Sequence, residues 1–289
     1  MHGVHDALPP AAGSPQVRPW PTGDAITDQL INSWGVLVTG SRIDVTLVAG
    51  GKYHDIDFAR RELLGLLAEH EEMRVRVQPD YEATDGITAG SILVSYTCDV
   101  RPSEAAQRAI REWVEAGGRW VALHGTNAAL DLGGPNGVDS PRTFPLWADT
   151  LGSQFVAHPP IQLYTVEITD PAHWLVEGIE PFDTDDELYL SEYHHRDELH
   201  PLLHTTWQGD ARGFVESDWS TAESRHLVMY LRPLGQGAVL YNTLGHCRSH
   251  YDMAPVLDYY PRIERCSWER PAYHELLRRS LRWARGATS

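Results

Sequence analysis

Lysine is almost absent from this 289-residue chain: Lys52 is the only one among 24 basic residues. Arginine neither forms a Schiff base nor readily loses its proton, so proton transfer near neutral pH must come from other side chains. Cysteine is scarce too. Cys98, Cys247 and Cys266 cannot build a disulfide framework or a four-Cys zinc centre, which points to a reducing, cytoplasmic setting. No run of about 18 apolar residues occurs, so no transmembrane helix and no membrane partner are expected. The opening residues have neither a basic n-region nor an apolar h-region, so no Sec signal peptide is expected. Positive charge is outnumbered: 40 Asp+Glu against 24 Lys+Arg give a formal net charge of -16. That balance argues against nucleic acid. No G-x-G-x-x-G or Walker-type loop points to a nucleotide.

Histidine, in contrast, is plentiful, with 15 in the chain and 11 of them from His124 onward. It is the side chain whose ordinary titration lies near neutral pH. Residues 1–35 carry Pro9, Pro10, Pro15, Pro19 and Pro21 among Gly and Ser. Such a composition does not fold alone and reads as an N-terminal arm. Residues 36–289 then form one domain, long enough to bury roughly three-quarters of its unfolded surface without staples.

Strands and helices alternate in the first half. Asp44–Ala49 is a short β-branched apolar run before Gly50-Gly51, and Leu63, Leu64, Leu66 and Leu67 form a helical stripe. Val75–Val77, Ser91–Tyr96 and Arg119–Leu123 read as further strands. Before the last of them, Pro102-Ser103 opens a helix with Ala106, Ile110, Trp113 and Val114 on its apolar face, and Gly117-Gly118 closes it. Nearly continuous apolar strands imply a parallel sheet covered on both faces, a three-layer α/β domain. In the second half, Tyr164–Ile168 and Leu202–Thr206 read as strands. His226–Tyr230 and Gly237–Tyr241 read as a hairpin turning through Pro233–Gln236, and Pro271–Ala284 as a terminal helix.

In such sheets ligands bind outside the carboxyl ends of the parallel strands. Three of those ends converge: Gly50–Asp55, Thr97-Cys98-Asp99 and His124-Gly125-Thr126-Asn127. The last is a tight strand-to-helix elbow, which presents one side chain beside backbone N–H groups. Amidotransferases and α/β-hydrolases place Cys or Ser there, whereas this chain has His124, so acyl transfer through a covalent nucleophile is not supported. Cys98 has no local base and reads as a buried, inert thiol. His194 and His195 are adjacent and would face opposite ways on a strand, so Glu192–His195 reads as a polar loop beside the pocket. Arg248 reads either as a holder of a substrate phosphate or carboxylate at the mouth, with His250 beside it, or as an ordinary surface arginine. Gly133–Gly137 reads as an exposed loop or a lid over the pocket. Trp147, Trp174, Trp207, Trp219 and Trp268 suit sugar stacking, with most of them expected in the core.

Five phrases in order carry a family resemblance. They are Gly50-Gly51 before Tyr53-His54, Ala122–Thr126, Phe155–Pro160, Asp186–Tyr189 and Gly235–His246. Together they resemble the ThuA-like (trehalose-utilisation) family, over nearly the whole body. The resemblance implies a flavodoxin-like, class I glutamine amidotransferase-like sheet, mostly parallel, without the amidotransferase Cys. It also implies a role in carbohydrate metabolism. His124, His158, Glu187 and His246 stand at the matched positions and are the catalytic candidates. Two chemistries stay open for them. One is a His/Glu site for Zn²⁺ or another divalent metal, with His124, His158 and His246 as ligands. The other is metal-free acid–base work around a sugar. Tyr53, His54, Thr126, Tyr189 and Arg248 are taken as substrate-binding. The expectation is a cytoplasmic enzyme acting on a small carbohydrate, as a homodimer. The alternative is a non-catalytic sugar-binding or assembly protein.

Overall fold

In the computed structural model, which describes residues 42–287, the first half of the chain alternates as its hydrophobic pattern demands. The expected arm, residues 1–35, lies outside the described residues. β1 (Ile43–Gly51) is followed by α1 (Ile56–Leu67), β2 (Met73–Gln78), α2 (Thr84–Thr88), β3 (Ile92–Cys98), α3 (Glu104–Glu115) and β4 (Arg119–Leu123). Helix α1 starts where the Asp55 carboxylate accepts the Phe58 N–H at 3.0 Å, and it buries Ala59, Leu63, Leu66 and Leu67. Helix α3 starts at Ser103, whose hydroxyl accepts the Ala106 N–H, and it stops at Gly117 with φ 119°.

A one-turn 3-10 helix over His124–Asn127 follows β4, and then the small hairpin β5 (Asp131–Gly134) and β6 (Gly137–Asp139). The chain continues through α4 (Pro145–Leu151), β7 (Ser153–Ala157), β8 (Gln162–Ile168), β9 (Phe182–Asp186) and β10 (Leu190–Tyr193). It ends with β11 (His200–Thr206), β12 (Arg225–Leu234), β13 (Gly237–Asn242) and α5 (Pro271–Ala284). The main sheet has the order β2-β1-β3-β4-β13-β12-β11-β8-β9.

The sheet is mixed, not mostly parallel. β2, β1, β3, β4 and β13 run parallel, while β13/β12, β12/β11, β11/β8 and β8/β9 are antiparallel. The connections explain the difference. Helical crossovers in the first half return each strand in the same direction, whereas the short Gly235-Gln236 turn between β12 and β13 can only reverse it. Alternating exposure along β8 marks a strand with one wet face.

Apolar side chains leave the parallel half on both faces. Val45, Leu47, Val94, Val121 and Leu240 pack with α1 and α5, while Val48, Leu93, Trp120 and Tyr241 pack with α2, α3 and α4. Each such side chain, fully buried, contributes about 1.5–3 kcal/mol. Among the described residues no helix is long and apolar enough to cross a membrane. The carboxyl ends of β1, β3, β4 and β13 share one edge of the sheet, and β9 points the same way. That edge carries the chemistry.

Candidate functional site

Three of the strand ends are strained in the same manner. Tyr53 after β1, Asp99 after β3 and His124 after β4 have φ of 67°, 54° and 47°, in the left-handed region that disfavours a Cβ. Their neighbours force the turns. A Cβ on Gly51 would lie 1.9 Å from the Cys98 carbonyl oxygen, and one on Gly125 would lie 2.7 Å from that of Thr97. Asp99 ties the three ends together: its carboxylate accepts from Lys52 Nζ at 2.9 Å, Arg101 Nε at 2.9 Å and the Leu130 N–H at 3.0 Å.

The turns aim side chains at one point. One ligand atom each from His54, His124, Glu187 and His246 lies within 4.8 Å of all the others, and all four residues are buried. His54 Nε2 and His124 Nε2 are 2.8 Å apart, and Glu187 Oε2 is 3.7 Å from the first and 3.5 Å from the second. His246 Nδ1 is 3.1 Å from Glu187 Oε1.

Outer partners fix which nitrogen of each ring carries hydrogen. His54 Nδ1–H donates to the Lys52 carbonyl at 3.2 Å, and His124 Nδ1–H to the Thr243 carbonyl at 2.8 Å. A carbonyl only accepts, so in each neutral ring Nε2 is left as a bare lone pair. His246 Nε2–H donates to the Glu264 carboxylate at 3.0 Å, which leaves Nδ1 bare whenever the ring is neutral. That Nδ1 is buried and lies 3.1 Å from Glu187 Oε1. Tyr189 Oη is a donor 3.2 Å from His124 Nε2. Three imidazole nitrogens and a carboxylate facing one another, each ring fastened from behind by an oxygen, are donors of the kind that could hold a divalent cation.

The frame around the group is built from carboxylates. Asp186 is fully buried and accepts four main-chain N–H bonds: Glu187 at 2.8 Å, His246 at 3.1 Å, Gly245 at 2.9 Å and Ser267 at 3.2 Å. It therefore joins the two segments that carry Glu187 and His246. Glu264 also accepts from Arg248 Nη1 at 3.0 Å and Tyr260 Oη at 2.7 Å. Arg248 Nε donates to the Tyr53 carbonyl at 3.1 Å, and Nη2 reaches Glu187 Oε1 at 3.4 Å.

Burial and charge divide the histidines. Complete burial lowers His54 to about 3, and burial also lowers His158. Burial opposes the charged form of His246, but the carboxylates of Glu187 and Glu264 outweigh it and raise the ring to about 9. Glu187 is held well below the usual carboxylate range: burial works against its charge, and the surrounding imidazoles prevail. With no cation between them, the proton on His246 balances Glu187.

A cavity of about 110 Å³ opens beside the group. Tyr53, His54, His158, Glu187, Tyr189 and Arg248, all expected at the site, line it. His158 stands apart from the four convergent groups, with Nε2 3.5 Å from Glu187 Oε1, so the convergent set contains His54 in its place. Thr126 turns away: its hydroxyl donates to the Leu123 carbonyl at 2.7 Å, inside the elbow. Cys98 is buried on the cavity wall, and burial pushes its thiol up, as expected of an inert sulfhydryl. His195 pairs with Asp149 at 2.6 Å, and His250 donates to the Tyr260 carbonyl at 2.7 Å, so neither faces the group. The tryptophans expected for stacking are absent from the walls, where Tyr53, Phe155, Tyr189 and Phe214 stand instead. The Gly-rich stretch forms the β5–β6 hairpin, which lends Leu132 and Val138 to the wall. Glu264 lies outside the matched phrases, and Asp186, although inside one, is not among the residues the sequence singles out.

Comparison with known proteins agrees with this architecture. A ThuA-like protein from Parabacteroides merdae superposes with a TM-score of 0.61 at 15% identity, over 86% of this chain and 92% of its own. One from Bacteroides uniformis gives 0.60 at 14% identity, over 86% and 94%. Part of a beta-galactosidase from Rahnella sp. gives 0.51 at 12% identity, over 85% of this chain and 31% of its own. Likeness at these identities establishes the fold alone. No curated protein matches the chain in sequence. The family model described as ThuA, trehalose utilisation, matches residues 44–260, and that span contains every group of the convergent set. This chain is therefore a member of the ThuA (trehalose utilisation) family.

Proposed function

We propose that the protein is an enzyme of carbohydrate metabolism that binds one divalent cation, Zn²⁺ or a similar ion, at His54, His124, Glu187 and His246. Its body reads as a flavodoxin-like, amidotransferase-like core, extended by the antiparallel strands. The observation that carries the proposal is the arrangement of lone pairs. His54 Nε2 and His124 Nε2 face each other at 2.8 Å while their opposite nitrogens donate to carbonyls. Two acceptors at that distance repel unless a cation or a proton lies between them. The family, described as trehalose utilisation, supports a sugar or sugar derivative as substrate.

A cation held there supplies a Lewis acid for a substrate oxygen. The chain's own groups do the rest. His158 Nδ1–H donates to the Pro159 carbonyl at 2.7 Å, so its Nε2 lone pair faces the cavity, and burial keeps the ring neutral. His158 is thus the base that takes a proton from the substrate. Arg248, braced by Tyr53 and Glu264, orients a substrate oxygen beside Glu187. Buried Tyr189 and Phe155 keep bulk water from that side. The convergence of these groups favours an enzyme over a non-catalytic binding protein.

The test is metal content and turnover on one preparation. The wild type, stripped and reconstituted, should hold one zinc per chain and turn over a member of a sugar and glycoside panel. His124→Ala should lose both while keeping its circular dichroism spectrum. Full zinc occupancy in His124→Ala would overturn the assignment.

A further inference from the structure

The chemistry of the cavity walls narrows the substrate, on the reading of the site just given. The inner chamber, about 110 Å³, is somewhat smaller than the apolar cavity of about 150 Å³ known to admit benzene. At that size it takes at most one six-membered ring, held partly in the mouth, and the walls decide which kind. Leu130, Leu132, Val138, Phe155, Phe214 and Met253 face it and have no side-chain hydrogen-bonding group. A pyranose there would bury several hydroxyls against hydrocarbon, each unpaired one weakening binding roughly five- to a hundredfold. An aromatic ring matches these walls: Phe155 sits 4.5 Å from Tyr189 in a tilted pair and 5.8 Å from Phe214 edge to face, centroid to centroid, so the lining is already an aromatic cluster that a third ring would extend.

The neighbouring space is of the opposite character. A basin of about 490 Å³ is lined by Asp185, Tyr260, Arg262, Glu264, Arg265 and other groups, donors and acceptors of the density a sugar requires. The two spaces share His158, Glu187 and Arg248. We propose that the site takes a glycoside with a compact aryl aglycone, the aryl ring in the inner chamber and the sugar in the outer basin. The glycosidic oxygen then lies against the shared wall of His158, Glu187 and Arg248, beside the convergent donor set.

The test is calorimetric titration of the zinc-treated protein with phenyl and methyl glycosides of glucose and galactose, both anomers, and with trehalose. At least one phenyl glycoside should bind about tenfold or more tighter than its methyl counterpart and tighter than trehalose. Val138→Trp, which fills the inner chamber, should erase that ratio, with zinc content reporting that the site is still formed. Equal affinity of every phenyl and methyl pair, tighter binding of trehalose, or no binding across the panel would overturn the inference. Zinc measured on the same samples separates the two readings. Zinc bound without an aryl preference sinks the aglycone assignment alone, and an aryl preference in protein that refuses zinc supports it while sinking the metal assignment.

Discussion

His54 and His124, 70 residues apart in the chain, hold their Nε2 atoms 2.8 Å from each other with both rings turned so that lone pair meets lone pair. The fold maintains this contact through two strained turns, at Tyr53 with φ 67° and at His124 with φ 47°. Each left-handed non-glycine residue costs about 1–2 kcal/mol. Strain of that kind persists where surrounding structure over-determines it, as the Asp99 ties and the close backbone contacts at Gly51 and Gly125 do here.

The ring orientation of His246 rests on Glu264, whose Oε2 accepts from Nε2 at 3.0 Å. Glu264→Gln keeps the shape but presents an amide that can offer the ring a donor. Zinc affinity, measured by competition with a chelating dye, should fall about 10- to 100-fold. Unchanged affinity would remove Glu264 from the outer shell.

Asp186 holds four main-chain N–H groups with two oxygens. In Asp186→Asn, one oxygen becomes an NH₂ that points at two donors. Urea unfolding should show a loss of roughly 3 kcal/mol. Zinc affinity of the folded variant should drop as well, because Glu187 and His246 are joined through this carboxylate. A variant as stable as wild type would contradict that role.

Gly51 is a tight point of the edge, with φ 107° and no room before the Cys98 carbonyl. Gly51→Ala must push β1 away from β3 where Tyr53 and His54 begin. We expect a thermal midpoint several degrees lower and zinc binding weakened with it. A midpoint matching wild type would mean that the strand ends yield more easily than their packing indicates.

Much of this was legible in the sequence. The strand–helix rhythm of the first half, the elbow at His124 and the terminal helix follow from apolar spacing and Gly placement. In the second half the β12–β13 hairpin follows from its Pro233–Gln236 turn, whereas the directions of β8, β9 and β11 do not, since no short turn joins each of them to its neighbour in the sheet. The site was half visible. His54, His124, His158, Glu187 and His246 all stand in matched phrases, but the sequence reads His54 as substrate-binding and His158 as a catalytic candidate and ligand, whereas the fold brings His54 into the convergent set. Chain order cannot say which of two imidazoles enters a cluster, because side-chain direction at a left-handed turn is decided by packing. Asp186 and Glu264 act through main-chain and ring N–H groups brought together only by the fold.

Away from the site, His226 is buried with Nε2–H donating to the Trp207 carbonyl at 2.9 Å. Burial lowers its pKa, Arg196 adds to the effect, and the Trp207 bond and Glu223 oppose it. The folded pKa therefore lies below the unfolded value of about 6.5. Below that pH the unfolded chain binds the proton that the folded chain refuses, so stability falls as pH drops. Chemical denaturation should show a smaller loss between pH 7.5 and 5.5 in His226→Gln, whose amide keeps a donor without titrating. An identical loss in both proteins would contradict the assignment.

The most direct test of the metal site is an anomalous difference map at the zinc edge from crystals of zinc-reconstituted protein. The account predicts one peak at about 2.0–2.2 Å from His54 Nε2, His124 Nε2, His246 Nδ1 and a Glu187 oxygen. A map at zinc saturation with no peak among these atoms, and the two Nε2 atoms still face to face, would contradict it.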